Sequence, residues 1–147
     1  LNWSVRPSLL IGATLGLLES EYLDYQYGDR NLDGREQASA PPYQYSLSAE
    51  WTPRRGWTAR ADVRGCAPFY FDTSNDQRSN AYTLVNLKAG YESGRWSVYA
   101  WGRNVFDEKY AVRGFYFGLE PPDYADKLYI QRGDPRLAGV TFTWSLW

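Results

Sequence analysis

The sequence contains no histidine and no methionine, and it has a single cysteine, Cys66. Without histidine the chain cannot build the Ser-His or Asp-His pairs on which many hydrolases depend. No cluster of Cys, Asp or Glu has catalytic spacing either, so we expect no enzymatic activity and no cofactor. The absence of methionine predicts that the chain is a piece that begins inside a longer protein.

An excess of one charge and a long apolar run are missing as well. The 16 Lys and Arg residues nearly balance the 17 Asp and Glu residues, and no basic stripe is present, so no nucleic-acid partner is predicted. The longest apolar stretch, residues 9–18, is interrupted by Gly12, Thr14 and Gly16. It is too short for a membrane-spanning helix of about 20 residues, but it suits a membrane-spanning strand of about 9 to 11.

The chain instead shows strict alternation of apolar and polar residues. Residues 43–51 and 57–64 both place apolar side chains at odd positions and polar side chains at even positions, on either side of a short turn at residues 52–56. A period of two is typical of a β-strand with two unlike faces. The charged side chains of the polar face are Glu50, Arg60, Asp62 and Arg64. The pattern therefore predicts a hairpin that is apolar on one face and charged on the other.

The same alternation predicts an all-β fold, an antiparallel up-and-down meander of about six long strands. The predicted strands are residues 9–22, 43–51, 57–69, 81–91, 96–103 and 137–147, after a stub at 1–3 and a turn at 4–8. The connections alternate in length, and the long ones are polar segments at about 23–41, 72–80 and 105–136. Short turns at one end and long loops at the other are typical of the wall of a transmembrane β-barrel.

Aromatic residues collect at the predicted strand ends. Trp and Tyr prefer membrane interfaces, where an apolar ring and a polar tip are both satisfied. The aromatic girdle predicted beside the short turns consists of Trp51, Trp57, Tyr91 and Trp96. A turn at residues 92–95 is predicted to pair Tyr91 with Trp96.

Two segments carry a family resemblance. Residues 104–110, Asn-Val-Phe-Asp-Glu-Lys-Tyr, resemble the Asn-Leu-Phe-Asp-x-x-Tyr element near the C-terminus of TonB-dependent outer-membrane receptors. Residues 133–136, Gly-Asp-Pro-Arg, precede an alternating strand and resemble the closing segment of that family. The family usually ends on an aromatic residue that shares the apolar face of its last strand. Here Leu146 occupies that position and Trp147 lies one residue beyond it.

The resemblance implies both an architecture and a function. It implies that residues 1–147 are the C-terminal segment of a 22-stranded barrel in the bacterial outer membrane, without the N-terminal plug domain. The implied function is binding and import of a ferric siderophore or a similar scarce nutrient, with energy from the TonB complex. The implied partners are outer-membrane lipid, the plug domain and the remaining barrel strands, the nutrient, and the TonB complex through segments outside this chain.

Two groups of residues are candidate sites. The third long connection offers positive charge and aromatic rings that suit an anionic, aromatic metal chelate. The ligand-binding candidates in it are Arg113, Tyr116, Tyr124 and Arg132. The charged residues of the first hairpin, Glu50, Arg60, Asp62 and Arg64, are predicted to face the barrel lumen as an ion network that supports the wall or contacts the plug.

Other interpretations stay open at the level of sequence. A complete small outer-membrane barrel with a structural or adhesive role has a similar length. A soluble carbohydrate-binding β-sandwich would also contain many aromatic residues, which make up 18% of this chain. Residues 29–34 match the first half of a calcium loop, but Ala40 stands where the last acidic ligand belongs, so we predict a solvated turn and no metal.

Overall fold

The computed structural model describes residues 1–53 and 56–146, so the middle of the turn at 52–56 and the predicted role of Trp147 lie outside the described residues. The strands are β1 (Asn2–Arg6), β2 (Leu9–Leu17), β3 (Gln26–Tyr27), β4 (Arg30–Asn31), β5 (Tyr43–Trp51), β6 (Trp57–Cys66), β7 (Tyr82–Ser93), β8 (Trp96–Arg103), β9 (Ala111–Phe117), β10 (Lys127–Arg132) and β11 (Leu137–Trp144). The described part of the chain has no helix that is long and apolar enough to cross a membrane.

Seven strands form one antiparallel sheet in the order β1-β2-β5-β6-β7-β8-β11. This confirms the predicted up-and-down meander. The edge strands β1 and β11 each have one hydrogen-bonded neighbour among the described strands, so the sheet is open rather than a complete small barrel. Three long connections join its strands, and we call them the first connection (18–42), the second connection (67–81) and the third connection (104–136).

The predicted turn at residues 4–8 is too long. A turn was expected over residues 4–8, but β1 continues to Arg6, and Ser4 and Arg6 pair with Leu10 and Leu9. Pro7 still lies in the turn, where its missing N–H group breaks no ladder hydrogen bond. The predicted stub therefore becomes a full strand at the edge of the sheet.

The register of the β7–β8 hairpin also differs from the prediction. Trp96 pairs with Ser93, and Tyr91 pairs with Val98. The turn is shorter than predicted because Gly94 adopts a φ of +56°, which allows a tight two-residue connection. The shift is two residues, so every side chain of β8 remains on its predicted face.

The third connection contains a second antiparallel hairpin, β9–β10, which the sequence pattern did not predict. Its strands mix aromatic, charged and small residues without clean alternation, so their sequence pattern predicts a loop. The first connection likewise contains the short β3–β4 hairpin. Strand β2 ends at Leu17 rather than near Tyr22 because the chain turns there into the first connection.

The sheet is a single layer whose apolar face is exposed. Ala13, Leu47, Val63 and Val85 lie in one row across four neighbouring strands, and Leu47 is 48% exposed. The buried hydrophobic residues of the described chain lie at or beyond the strand ends: Leu32, Cys66, Ala67, Phe69 and Phe71. A soluble sandwich would bury this apolar row between two sheets, so the sandwich interpretation is wrong.

Candidate functional site

The polar face of the sheet carries an ion network centred on Arg60. Arg60 Nη1 lies 3.0 Å from Glu50 Oε2 on β5, and Arg60 Nη2 lies 2.8 Å from Asp62 Oδ1. The pairing registers place Glu50 opposite Arg60, and Ser46 opposite Arg64. Among the described residues, the ion pairs of this network do not reach Arg64. The arginine and glutamate side chains are nearly half exposed, so each pair contributes about 1 kcal/mol or less.

The same face is concave and carries aromatic side chains. Open clefts of about 490, 450 and 550 Å³ lie along it. Lys88 Nζ lies 3.8 Å from the centre of the Tyr99 ring, and the Tyr99 hydroxyl donates a hydrogen bond to Glu92. Trp101 Nε1 donates to Thr141 Oγ1 at 3.2 Å. The polar ends of these aromatic residues are therefore bonded on the concave face, where alternation predicted them.

The opposite, convex face presents the four girdle candidates beside the short turns. The rings of Trp57 and Tyr91 lie 5.0 Å apart, and those of Tyr91 and Trp96 lie 5.8 Å apart. Trp51 and Trp57 are 48% and 56% exposed. Trp144 of β11 pairs with Trp96 and extends this row of aromatic side chains, a member that the sequence prediction left out.

The four ligand-binding candidates are spread over the β9–β10 hairpin. Arg113 and Tyr116 lie on opposite faces of β9, because they are three positions apart in a strand. Tyr124 lies in the connection between β9 and β10 and is 62% exposed, whereas Arg132 is the last residue of β10. The structure does not bring these four side chains together into one pocket.

Arg132 does meet other cations at the base of the hairpin. It lines a cleft of about 140 Å³ together with Arg78 of the second connection and Lys109 of the third, and Phe71 and Ile130 supply apolar walls. Sequence reasoning missed Arg78 and Lys109, because they lie far from Arg132 along the chain. Arg78 is paired with Glu36, and Lys109 Nζ lies 3.9 Å from Asp107 Oδ2, whereas no ion pair among the described residues includes Arg132. Arg132 is therefore the cation of this cleft that suits an anionic group.

The first and second connections are joined through Tyr70. The guanidinium carbons of Arg35 and Arg78 lie 4.2 and 4.0 Å from the centre of the Tyr70 ring. Arg78 also pairs with Glu36, and Arg35 Nη1 lies 2.6 Å from Asp76 Oδ1. The hydrogen bond from Arg35 holds the pKa of Asp76 below its usual range. These contacts cross between connections, so no local sequence pattern indicates them.

The third connection packs onto the second at Gly114. A Cβ atom at Gly114 would lie 2.5 Å from the ring of Phe71, so only glycine leaves room for this aromatic side chain. Phe71 packs edge-on against Phe69, with ring centres 5.9 Å apart. Tyr82, Ala111 and Leu128 pack around this small cluster. The β9–β10 hairpin is therefore seated on a hydrophobic base beyond the end of the sheet.

The half-match to a calcium loop forms a turn through its own side chains. Asn31 Oδ1 accepts a hydrogen bond from the Asp33 backbone N–H at 2.8 Å, and Asp33 Oδ1 accepts one from Tyr25 N–H at 2.6 Å. In the described ranges no group of three or more Cys, Asp and Glu side chains is placed to hold a metal ion.

Comparison with known proteins supports the same architecture. Residues 1–105 match the model of a family described as TonB dependent receptor-like, beta-barrel. The chain is similar in structure to the ferric yersiniabactin uptake receptor FyuA from Yersinia pestis, with 22% identity, 97% of this chain covered and a TM-score of 0.79. It is also similar to the siderophore receptor PiuA from Acinetobacter baumannii, with 16% identity, 96% covered and a TM-score of 0.74. The chain spans 22% and 20% of the lengths of these two proteins.

Proposed function

The chain belongs to the TonB-dependent receptor family, and from that membership we propose that it forms part of the barrel wall of a receptor that imports a ferric siderophore across the bacterial outer membrane. The family consists of outer-membrane transport receptors rather than enzymes. Energy for import would come from the TonB complex, which would act through a plug domain and a contact segment elsewhere in the full-length protein.

The observation that carries this proposal is the contrast between the two faces of one single-layered sheet. The convex face exposes Leu47 and Val140, whereas the concave face holds the ion pairs of Arg60 with Glu50 and Asp62. A charge facing lipid near the bilayer midplane costs about 2 to 4 kcal/mol, so the apolar face suits lipid and the charged face suits the lumen. In this proposal the aromatic girdle lies at the periplasmic interface.

The lumen-facing residues Glu50, Arg60, Asp62 and Arg64 have two proposed tasks. The bonded trio, which excludes Arg64, holds β5 and β6 side by side. Arg64 lies on the same face as Asp62, in the next row of that face, and lines the third cleft with Thr14 and Tyr82. We propose that Arg64 contacts the plug domain, because its charge is not neutralised by the neighbouring acids of the wall.

The ligand would be captured by the long connections, which in this orientation face outward. Arg132, which has no acidic partner among the described ion pairs, suits the anionic part of a metal chelate in the cleft that it lines with Arg78 and Lys109. The stacked rings of Phe115 and Tyr129, with centres 5.7 Å apart, offer an aromatic surface on the same hairpin. We also propose that the ligand contacts Arg113, Tyr116 and Tyr124. Because these side chains do not share a pocket, different parts of the ligand would contact them.

A binding titration with the full-length receptor tests the ligand class. A panel of ferric hydroxamate, catecholate and phenolate chelates is compared with the same chelators without iron, with cobalamin and with oligosaccharides. We expect saturable binding of at least one ferric chelate, and we expect Arg132→Ala to weaken it about tenfold or more, the effect of losing one charge-assisted contact.

Two controls make the titration decisive. Arg6→Ala removes an arginine from β1, at the opposite end of the sheet, and should leave ligand affinity unchanged. Uptake of radioactive iron should require an intact TonB complex in the host cell. Binding of cobalamin or an oligosaccharide in place of every ferric chelate would replace the proposed ligand, and uptake that persists without TonB would contradict the proposed energy source.

A further inference from the structure

The two motif segments at residues 104–110 and 133–136 meet at the end of the β8–β11 ladder. Arg103, the last residue of β8, pairs with Leu137, the first residue of β11. The whole third connection, including its β9–β10 hairpin, is therefore an excursion between two strands that are direct neighbours in the sheet. Both ends of this excursion lie beside each other.

Asn104 bonds both ends of the excursion through one side-chain amide. Its Nδ2 donates to the carbonyl oxygens of Glu108 at 2.9 Å and of Asp134 at 3.0 Å, and its Oδ1 accepts from Glu108 N–H at 2.8 Å. Its backbone N–H donates to Asn86 Oδ1 on β7 at 3.0 Å. Asn104 is only 4% exposed, so a lost partner would leave a buried polar group without a hydrogen bond.

Asp107 forms a second tie between the same two segments. Its Oδ1 accepts a hydrogen bond from the backbone N–H of Arg136 at 2.9 Å, one residue before β11 begins. Asn104 and Asp107 both have positive φ angles, of 46° and 55°. Asn and Asp adopt this left-handed conformation more readily than other residues with a side chain, which explains these residue types at these two places.

We propose that Asn104 and Asp107, through their bonds to Asp134 and Arg136, act as a register clasp that sets the pairing of β8 with β11. This role concerns how the wall is assembled, and it does not depend on which ligand the receptor carries. The clasp consists of these four residues.

The sheet needs such a device at this position and not at its short hairpins. The β7–β8 hairpin fixes its register through a tight turn, in which Ser93 pairs with Trp96. Between β8 and β11 no tight turn exists, and a connection as long as residues 104–136 does not by its length define a register. A slip of two residues would keep each side chain of β11 on its own face, so neither lipid nor lumen would oppose it. The clasp replaces the missing turn.

Residues in the middle of the β8–β11 ladder also help to set the register, but they do not make the clasp redundant. Trp101 covers Gly139 on β11 and donates to Thr141. On the lipid-facing side near the clasp, however, Ala138 and Val140 pair with Gly102 and Ala100, which have little or no side chain to discriminate between neighbouring partners. The clasp acts at the end of the ladder, next to the terminal pair of Arg103 with Leu137.

Disulfide trapping in the full-length receptor reads this register directly. In a Cys66→Ala background, Ala100→Cys is combined with Val140→Cys for the observed register, or with Ala138→Cys or Phe142→Cys for slips of two residues. Directly opposed Cβ atoms lie about 5 Å apart and diagonal ones about 7 to 8 Å, so oxidation favours the pair that is opposite. With the clasp intact, we expect the 100–140 bond alone.

Asn104→Asp is the test variant. It keeps the shape of the side chain and removes the two hydrogen bonds that Nδ2 donates to Glu108 and Asp134. We expect the yield of slipped bonds to rise about tenfold relative to the unaltered clasp. Asn80→Asp is the matched control, since it makes the same chemical change at an exposed asparagine of the second connection and should leave only the 100–140 bond. A register unchanged by Asn104→Asp would overturn the proposal.

Two further variants keep the test decisive. Only folded receptor, identified by its heat-modifiable migration in gels, is scored. If Asn104→Asp does not fold, Asp107→Ala removes the more exposed tie, and its failure to raise the slipped bonds would overturn the proposal. Asn104→Gly retains a positive φ without the amide, and we expect slipping as with Asp. An unaltered register in Asn104→Gly would show that backbone conformation suffices and would overturn the bonding role.

Discussion

The indole ring of Trp101 on β8 lies directly over Gly139 on β11, so that a Cβ atom at Gly139 would come within 2.5 Å of the ring. We expect Gly139→Ala to force the indole away from Thr141 and to lower the free energy of unfolding by about 1 to 3 kcal/mol. Urea titration of the receptor in lipid vesicles measures this change.

Gly16→Ala provides the matched control for that substitution. Gly16 is also a strand glycine, but the nearest atom to its added Cβ is the Gln44 carbonyl oxygen at 3.8 Å, an ordinary contact. Alanine restricts the unfolded chain more than glycine, so stability should be unchanged or slightly higher. Equal losses of unfolding free energy in both variants would show that adding a Cβ atom destabilises these strands in general. The contact between Trp101 and Gly139 would then not explain the effect.

Two consecutive residues of β2 test the assignment of the faces. Ala13 belongs to the apolar row with Leu47, whereas Thr14 faces Ser46 and lines a cleft of the concave side. We expect Ala13→Arg to reduce folding into lipid by about 2 to 4 kcal/mol and Thr14→Arg to have much less effect. The folded fraction in outer-membrane preparations is the measurement. Similar losses from both arginines would contradict the assigned faces.

The ring of Tyr70 is predicted to couple the first connection to the second. Tyr70→Leu removes the surface on which Arg35 and Arg78 lie, and amide hydrogen exchange in residues 18–42 should accelerate about fivefold, equivalent to roughly 1 kcal/mol. Tyr70→Phe keeps the ring and should resemble the unaltered receptor. Faster exchange in both variants would assign the coupling to the hydroxyl group instead of the cation–π contacts.

The clasp is predicted to weaken in acid through Asp107. The hydrogen bond from Arg136 N–H, followed by the charges of Lys109 and Arg136, holds the pKa of Asp107 below its ordinary value of 3.8. A carboxylate with a lowered pKa stabilises the folded state above the ordinary value, and this contribution disappears as the pH falls through the lower folded pKa. We therefore expect the stabilising effect of Asp107 at pH 6 to decline as the pH falls below 3.8 and to vanish below the lowered pKa of the folded state.

The difference in melting temperature between the unaltered receptor and Asp107→Asn measures this effect. It should be positive at pH 6 and shrink towards zero in strong acid. Lys109→Gln should change the pH dependence less, because the bond from Arg136 is the larger cause of the lowered pKa. A difference that does not vary with pH would show that the charge of Asp107 is not involved.

Alternation predicted the wall well because each strand residue meets one of two unlike environments. The strand pairing of residues 43–51 with 57–64 agrees with the predicted hairpin, and it places odd positions opposite odd positions and even opposite even. The same logic kept the faces of β8 correct although its register was two residues off. Turn details were less predictable, because periodicity does not encode the positive φ angle that Gly94 adopts in the β7–β8 turn.

The connections could not be predicted in the same way. The β9–β10 hairpin rests on Phe71 from a different connection, and Arg132 meets Arg78 and Lys109 only after folding. Such contacts depend on which loops the sheet brings side by side. The motif at 104–110 indicated a family but not its physical role, since the partners of Asn104 and Asp107 lie near residue 135 in sequence.

Few side chains within the sheet are buried, so the stability of this protein depends on the medium that surrounds the sheet. Cys66, Phe69 and Phe71 form a small cluster at the rim of the sheet beside the second connection, and in the proposed orientation acyl chains would cover the exposed apolar side chains of the wall. Lipid thickness should therefore act on this molecule as core volume acts on a globular one: a bilayer too thin or too thick for the rows between the girdle and the rim weakens it without altering a single internal contact.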